Sequence, residues 1–444
     1  MDKRIVIIGA GPCGLGAAYH LQELGHKNWQ IYERNDYVGG LAASFKDEKG
    51  FTWDIGGHVI FSHYEYFDRL LEKLLGGDYI GHQRKAYVRI MNRWVPYPFQ
   101  NNIRYLPPRE AWECLASFFI ARLEHAKPYH NFREWILAKF GRGIAKYFMF
   151  PHNLKAWGYP LEEMSYNWIG ERVNVVDFKR VLGNFAFVRK DTSWGLNSNF
   201  KFPLFGGTGE IFRRFIPYIK ERLFLNKEII RVDTQNKEVI FNDGDRSNYD
   251  ILINTMPLDK FVETAGLFQF FQVKKYLKYN SILTVGLGFK KSALSDKCWV
   301  YFPGGDCPFY RITYFSNYSP HNVPTSEYSS LISETAYSET RPYGKDRVIE
   351  DTIQGLINTN ILSAEDKKHI VSTYLIDTEY AYPIPTLDRD KALGAIQPYL
   401  RQNNIYSCGR FGAWKYELAN TDYSLMQGVE AVDNILGINS QGPC

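Results

Sequence analysis

Three glycines near the start, Gly9, Gly11 and Gly14, have the spacing that lets a backbone fold tightly around a pyrophosphate. They follow Ile5-Val6-Ile7-Ile8, an apolar β-branched run that reads as a buried parallel strand. From Ala17 the chain continues as a helix. A phosphate beside Pro12 and Cys13 would meet the N–H groups and the positive dipole end of its first turn. A second strand, Trp29-Gln30-Ile31-Tyr32, ends at Glu33. A carboxylate about 20 residues after such glycines is placed to grip ribose hydroxyls. A later doublet, Gly56-Gly57, precedes His58. Glycines there let backbone approach a flat ring closely, and His58 would sit beside that ring.

Strand, glycine turn, helix and acid-ending strand together open a dinucleotide-binding fold. These features leave NAD and FAD both open. Four residues after Arg34 comes Gly39-Gly40-Leu41. This Arg-x4-Gly-Gly pattern resembles the FAD enzymes of the glutathione-reductase-like superfamily, and the resemblance favours FAD.

The bulk numbers set limits. A chain of 444 residues can bury a large core and should hold two or three structural units. The net charge of +5, without a Lys/Arg-rich tract, does not suggest a nucleic-acid partner. No apolar run approaches the ~18 residues of a membrane span. The opening Met-Asp-Lys-Arg leads at once into the first strand, so no leader is expected. Six cysteines show no C-x-x-C and no regular spacing, so neither a metal site nor a disulfide framework is expected, and a cytoplasmic setting is the simplest.

Along the chain the character changes several times. Residues 1–90 read as the first part of the dinucleotide domain. Residues 91–200 read as a mainly helical insert, with Leu115 and Phe118 at helical spacing, a helix from Phe132 stopped at Gly141, and another from Ile144 stopped at Pro151. A helical stretch is also expected over 168–172. Residues 201–261 return to the dinucleotide domain through a hairpin at Asn236-Lys237 and the strand Tyr249 to Asn254. Residues 262–400 are strand-rich and read as an antiparallel sheet domain that takes the substrate. Residues 401–444 close the fold with a strand, Gly409 and a helix from Ser424. The expected class is α/β: a Rossmann-like FAD domain with an inserted helical domain and an antiparallel sheet domain.

Several longer blocks carry a sharper resemblance. Gly56 to Tyr64 (GGHVIFSHY), Trp94 to Asn102 (WVPYPFQNN), Trp299 to Arg311 (WVYFPGGDCPFYR), Phe315 to Pro320 and Gly409 to Tyr416 closely resemble UDP-galactopyranose mutases of the eukaryotic type. The likeness runs from about residue 5 to 436. It implies an isomerase that interconverts UDP-galactopyranose and UDP-galactofuranose without net redox. In that family reduced FAD is the active form: its N5 attacks the anomeric carbon and expels UDP, and the sugar ring opens and recloses through its other hydroxyl.

The same resemblance assigns residues. Arg172 and Arg311 would hold the diphosphate, with Tyr301, Tyr318, Tyr382 and Tyr416 around it. Tyr97, Phe99, Gln100, Phe148 and Asn153 would form the uridine pocket. Trp157 and Asn197 would flank ribose and sugar, and Arg84 would be a further active-site arginine. His58 would tune the flavin. Arg410 would face FAD, and Gly409, Asn420 and Ser424 would complete its site. Tyr382 and Tyr416 would also bridge to NADPH, the expected electron donor. UDP-galactose, UDP-galactofuranose and NAD(P)H are thus the expected small-molecule partners, while the oligomeric state stays open. One departure concerns Ala419, which stands where fungal members have Gly. If that backbone needs a positive φ or touches the flavin closely, Ala would carry a cost. Three rival readings remain: a mutase for another UDP-sugar, an amine- or protoporphyrinogen-type oxidase, and a non-catalytic FAD and nucleotide-sugar binder.

Overall fold

The strand Ile5–Ile8 is buried at every residue because it lies in the middle of a five-stranded parallel sheet. The order across that sheet is Ile405–Ser407, Ile251–Asn254, Ile5–Ile8, Trp29–Tyr32, Leu223–Phe224. Strands covered on both faces have no need of alternating polarity, which is why Ile5 to Ile8 reads as a continuous apolar run. The structure is a computed structural model that describes residues 3–124, 128–193 and 195–438.

The glycine-rich turn after Ile8 is held by packing as much as by conformation. A Cβ on Gly14 would lie 1.9 Å from the Gly9 carbonyl oxygen, and one on Gly428 would lie 2.0 Å from the Cys13 oxygen. The helix Pro12–Glu23 therefore packs tightly on both its own strand and the closing helix Thr421–Leu436. That contact fixes the N-terminus of Pro12–Glu23, where Gly11 is the N-cap and no side chain caps the free N–H groups.

A second, seven-stranded sheet stands apart from the parallel one. Its order is Ile370–Ile384, Lys278–Phe289, Ser329–Tyr337, Arg311–Thr313, Trp299–Tyr301, Ala86–Ile90, Arg93–Pro96. Neighbours are antiparallel except Trp299–Tyr301 with Ala86–Ile90, which run parallel. The hairpin 86–96 thus joins the seven-stranded sheet, and the expected boundary at residue 90 falls inside that hairpin. The strand from Ile370 runs to Ile384 and carries Tyr382 to the sheet's inner end.

The helical insert differs in detail from expectation. The helix from Phe132 does break at Gly141, whose φ 73° and ψ 173° are not helical; beyond that kink the chain continues through Ile144 and a π turn, Ala145–Met149, into Phe150–Trp157. Pro151 does not stop a helix; it sits in the first turn of Phe150–Trp157, where its missing N–H costs little. Gly141 and Gly143 are explained by contact: a Cβ would meet the Ser117 oxygen at 2.2 Å and Cys114 Cα at 2.6 Å on the neighbouring helix Pro108–Leu123. Around 168–172 the expected helical stretch is only the short turn Gly170–Arg172. Among the described residues no helix is long and apolar enough to cross a membrane.

Candidate active site

Three contiguous cavities run from the parallel sheet to the helical insert. The first, of about 780 Å³, is lined by Gly9, Gly11, Pro12, Cys13, Glu33, Arg34, Gly40, Leu41, His58, Gly409, Arg410 and Ser424. The second, of about 540 Å³, shares Leu41, His58 and Arg410 with the first and adds Gly56, Gly57, Asn197 and Asn420. The third, of about 180 Å³, contains Gln100, Phe148, Asn153 and Trp157. Tyr97, Arg172, Tyr301, Arg311, Tyr382 and Tyr416 line both the second and the third. The string of cavities therefore has a waist built from two guanidinium groups and four phenols.

The first cavity fits a dinucleotide. The uncapped start of Pro12–Glu23 faces it, ready for a pyrophosphate. Glu33 is buried; its carboxylate accepts the Ala10 N–H at 2.8 Å and the Asn35 side-chain amide at 2.7 Å. These bonds fix the carboxylate at the wall of the cavity. Gly14 does not line the cavity, because its place is against the Gly9 carbonyl. Its role is helix-to-strand packing, not ligand contact. Cys13 lines the cavity, and its Sγ lies 3.4 Å from that of Cys408.

His58 stands where the first and second cavities meet. Its Nδ1 is buried and has no hydrogen-bond partner among the described residues. A polar atom left so inside a protein calls for a partner from a ligand. Burial, and after it the charges of Arg410 and Arg311, hold its pKa down to about 4, so the ring is neutral at ordinary pH. Gly56, at φ 87°, carries the backbone past the Glu334 carboxylate with a Cβ position only 3.4 Å from it. An orphaned imidazole nitrogen beside a glycine doublet fits the edge of a flavin ring at this junction.

At the waist, Arg311 is held by a residue that motif reading passes over. Glu334, 1 % exposed, accepts from Arg311 Nε at 2.7 Å and from Nη2 at 2.9 Å. It also accepts from the Tyr310 hydroxyl at 2.5 Å and from the Gly57 N–H at 3.1 Å. One buried carboxylate thus locks the guanidinium plane and ties it to the backbone next to His58. Its charge keeps Arg311 firmly cationic despite burial. Its strand, Ser329–Tyr337, is buried along eight of its nine residues, so it is the fold and not the sequence that marks this acid out.

Arg172 is aimed differently. Its Nη1 donates to Asn420 Oδ1 at 3.0 Å and its Nη2 to the Glu417 carbonyl at 2.8 Å, with the guanidinium 4.8 Å from the Tyr416 ring centre. Asn420 therefore faces the second cavity and Arg172, and does not line the dinucleotide cavity where it was expected. Arg410 donates to the Ala419 oxygen at 2.8 Å and lies 5.5 Å from the Tyr382 ring. Ala419 has φ −95°, so the backbone there suits any residue and carries no left-handed strain; it lines both the first and the second cavity.

The third cavity has the polarity of a base pocket. Gln100 donates its amide to the Asn174 carbonyl at 2.8 Å, while its buried Oε1 has no partner. Phe148 stacks on His152 with ring centres 5.0 Å apart and 9° between planes. His152 also lines this cavity, with an unpartnered buried Nδ1 and a pKa lowered by burial to about 3. It was not among the expected residues. Asn153 uses its Nδ2 on the Met149 carbonyl at 2.7 Å, which leaves its oxygen for other use.

Three expected substrate contacts line none of these cavities. Phe99 is fully buried behind Phe148, ring centres 4.7 Å apart, and supports the wall without forming it. Tyr318 packs in the core among Phe200, Phe202 and Phe315. Arg84 lies behind Asn197, donating to its Oδ1 at 2.6 Å and to the Thr192 carbonyl at 2.9 Å. All three are aromatic or long side chains that the fold uses one layer beneath the surface of the site.

Comparison with known proteins agrees with this geometry. The family described as flavin-containing amine oxidoreductases matches residues 12–436. A solved structure of reduced UDP-galactopyranose mutase is 43% identical, with a TM-score of 0.96, covering 99% of this chain and 94% of that one. A putrescine oxidase bound to putrescine superposes with a TM-score of 0.67 at 15% identity, covering 98% of this chain and 99% of that one, and so shares the fold alone. The 15-cis-phytoene desaturase of Synechococcus elongatus is 37% identical over 90 residues, which is 20% of this chain and 18% of the desaturase. The zeta-carotene desaturase of Solanum lycopersicum is 39% identical over 71 residues, 16% of this chain and 12% of that protein. The chain thus matches less than a fifth of the length of these curated relatives. The identity and near-complete coverage by the mutase structure place the chain in the UDP-galactopyranose mutase family, within the flavin-containing amine oxidoreductases.

Proposed function

We propose that this chain interconverts UDP-galactopyranose and UDP-galactofuranose with FAD in its reduced form and no net redox. The observation that carries this reading is the waist: Arg172 and Arg311 line both the cavity that His58 faces and the pocket that holds Gln100. A UDP-sugar laid along it would put its diphosphate on two guanidinium groups, its base by Gln100 and its sugar toward His58. When bound, reduced FAD supplies a nucleophilic nitrogen, N5, for the anomeric carbon. NADPH is our proposed source of its electrons, with Tyr382 and Tyr416 at its approach.

Each residue then has a physical task. The Gln100 Oε1 accepts the imide N–H of uracil, and the Phe148 ring lines the pocket beside it. Arg311, fixed by Glu334, and Arg172 balance the diphosphate charge as it departs and returns, with the hydroxyls of Tyr301, Tyr382 and Tyr416 around it. Arg84 orients Asn197, which turns its remaining amide donors to sugar hydroxyls. Neutral His58 offers a hydrogen bond to the flavin edge without adding a charge.

The test is chromatographic conversion of UDP-galactofuranose by purified protein, with and without dithionite. Conversion only after reduction is the expected result. No conversion by FAD-loaded, reduced protein would overturn the reading, and oxygen consumption with amines would replace it by an oxidase. A narrower expectation concerns the base. Gln100→Ala should raise the KM for the UDP-sugar about tenfold, the order of one buried hydrogen bond, with FAD content unchanged. Loss of FAD in that variant would move the loop out of the substrate pocket.

A further inference from the structure

His63 lies five residues beyond His58, in the same block, and the proposed chemistry gives it no task. Its surroundings are specific. Nδ1 is 2.6 Å from Asp422 Oδ2, and the backbone N–H donates to the same oxygen at 3.1 Å. Nε2 is 2.7 Å from Glu171 Oε1. With a carboxylate on each ring nitrogen, both nitrogens act as donors and the ring is an imidazolium. The other groups against it are the rings of Phe61, Tyr64 and Tyr423. The neighbouring cation is Arg172, next in sequence to Glu171.

The result is a bridge between two parts of the chain. Asp422 is 1 % exposed in the first turn of the closing helix Thr421–Leu436, while Glu171 belongs to the exposed turn Gly170–Arg172 of the insert. That turn has a second tether, Arg172 itself, whose guanidinium is committed to Asn420 and the Glu417 carbonyl. Those two bonds leave Arg172 further N–H groups on a side chain that already lines both cavities, so a diphosphate at the waist pulls on the same guanidinium as its protein partners. As far as it draws Arg172 away from them, the bridge through His63 is what still ties the turn to the closing helix, among the contacts of the described residues just named.

We propose that His63 is a positioning residue: through Glu171 it holds the Gly170–Arg172 turn at the cavity mouth while Arg172 exchanges its protein partners for the substrate's diphosphate. The inference rests on the proposed function, since it needs a diphosphate at the waist. Burial alone would lower the His63 pKa, but Asp422 and then Glu171 outweigh it and raise it above the ordinary value. The sign follows: the bridge is complete at lower pH and is lost as pH rises through that raised pKa.

The test uses the oxidised, FAD-loaded protein titrated with UDP-galactose between about pH 6 and 8.5, where neither the diphosphate nor uracil ionises. In the wild type the dissociation constant should rise up to about fivefold with pH, the scale of one partly exposed charge pair. Glu171→Gln should bind as weakly at low pH as the wild type does at high pH, and show no pH step. Glu171→Asp should restore the step. FAD content and Tm should be unchanged in both. A pH step in Glu171→Gln equal to the wild type's would overturn the positioning role. Failure of the wild type to bind UDP-galactose at any pH would overturn the proposed function, and this inference with it.

Discussion

Arg311→Ala is expected to lose turnover by about 10²–10³-fold, the scale of removing one preorganised charge-stabilising group from an active site. It should also lose stability. Removing the guanidinium strands Glu334, which is 1 % exposed, as an unpaired buried charge. Breaking such a pair from one side costs about 3–5 kcal/mol. The two effects separate in the double variant Arg311→Ala/Glu334→Gln. Neutralising the carboxylate relieves the buried charge and should recover much of the lost stability in a denaturant titration. It cannot restore a cation to the diphosphate, so turnover should stay low. If turnover returned with stability, Arg311 would be a structural residue only. If turnover and UDP-sugar affinity were unchanged in the single variant, the diphosphate would lie elsewhere.

The contrast between Arg311 and Glu334 shows what the sequence makes legible. Arg311 stands in a block of unusual composition, Trp299 to Arg311, and is found by resemblance. Glu334 lies in an unremarkable strand, Ser329–Tyr337, 23 residues further on. The two meet only because the strand Arg311–Thr313 pairs with it, Arg311 opposite Glu334. No local pattern encodes that register. The dinucleotide end is the opposite case. Gly9, Gly11 and Gly40 stand at backbone turns and Glu33 offers a carboxylate at a strand end, features that spacing along the chain does report, and all four line one cavity.

Depth is what spacing reports least well. Phe99, Tyr318 and Arg84 each sit near true lining residues in sequence, yet the fold turns them inward. In the WVPYPFQNN block, Tyr97 and Gln100 line the third cavity while Phe99 lies behind it. The short turn Phe99–Asn101 decides which side faces the ligand, and helix or strand periodicity says nothing about a turn of that length. His152 was missed for a related reason. It precedes Asn153 in Phe150–Trp157, and only the orphaned Nδ1 in the folded protein marks it as facing a ligand.

His58→Ala should lower turnover of the reduced protein about 10²-fold while changing the UDP-sugar KM by no more than about twofold. His58 lines the dinucleotide cavity and the central one but not the base pocket, so its loss leaves the base and diphosphate contacts in place. The pH dependence is a second, independent arm. Burial, then Arg410 and Arg311, hold the folded-state pKa at about 4. The folded protein therefore binds fewer protons at His58 than the unfolded chain does below about pH 6.5. Acidification through that window should destabilise the fold. It should not switch the active site, because the folded ring stays neutral until close to pH 4. Turnover at saturating UDP-sugar should then show no His58 inflection between about pH 5.5 and 8, measured chromatographically on dithionite-reduced protein. An inflection there that vanished in His58→Ala would mean the ring titrates at neutral pH and acts as an acid or base. An equal loss of turnover and affinity would place it on the substrate. A turnover loss alone, with a flat profile, leaves one role open to a neutral imidazole at that junction: a hydrogen bond to the flavin edge that carries no charge.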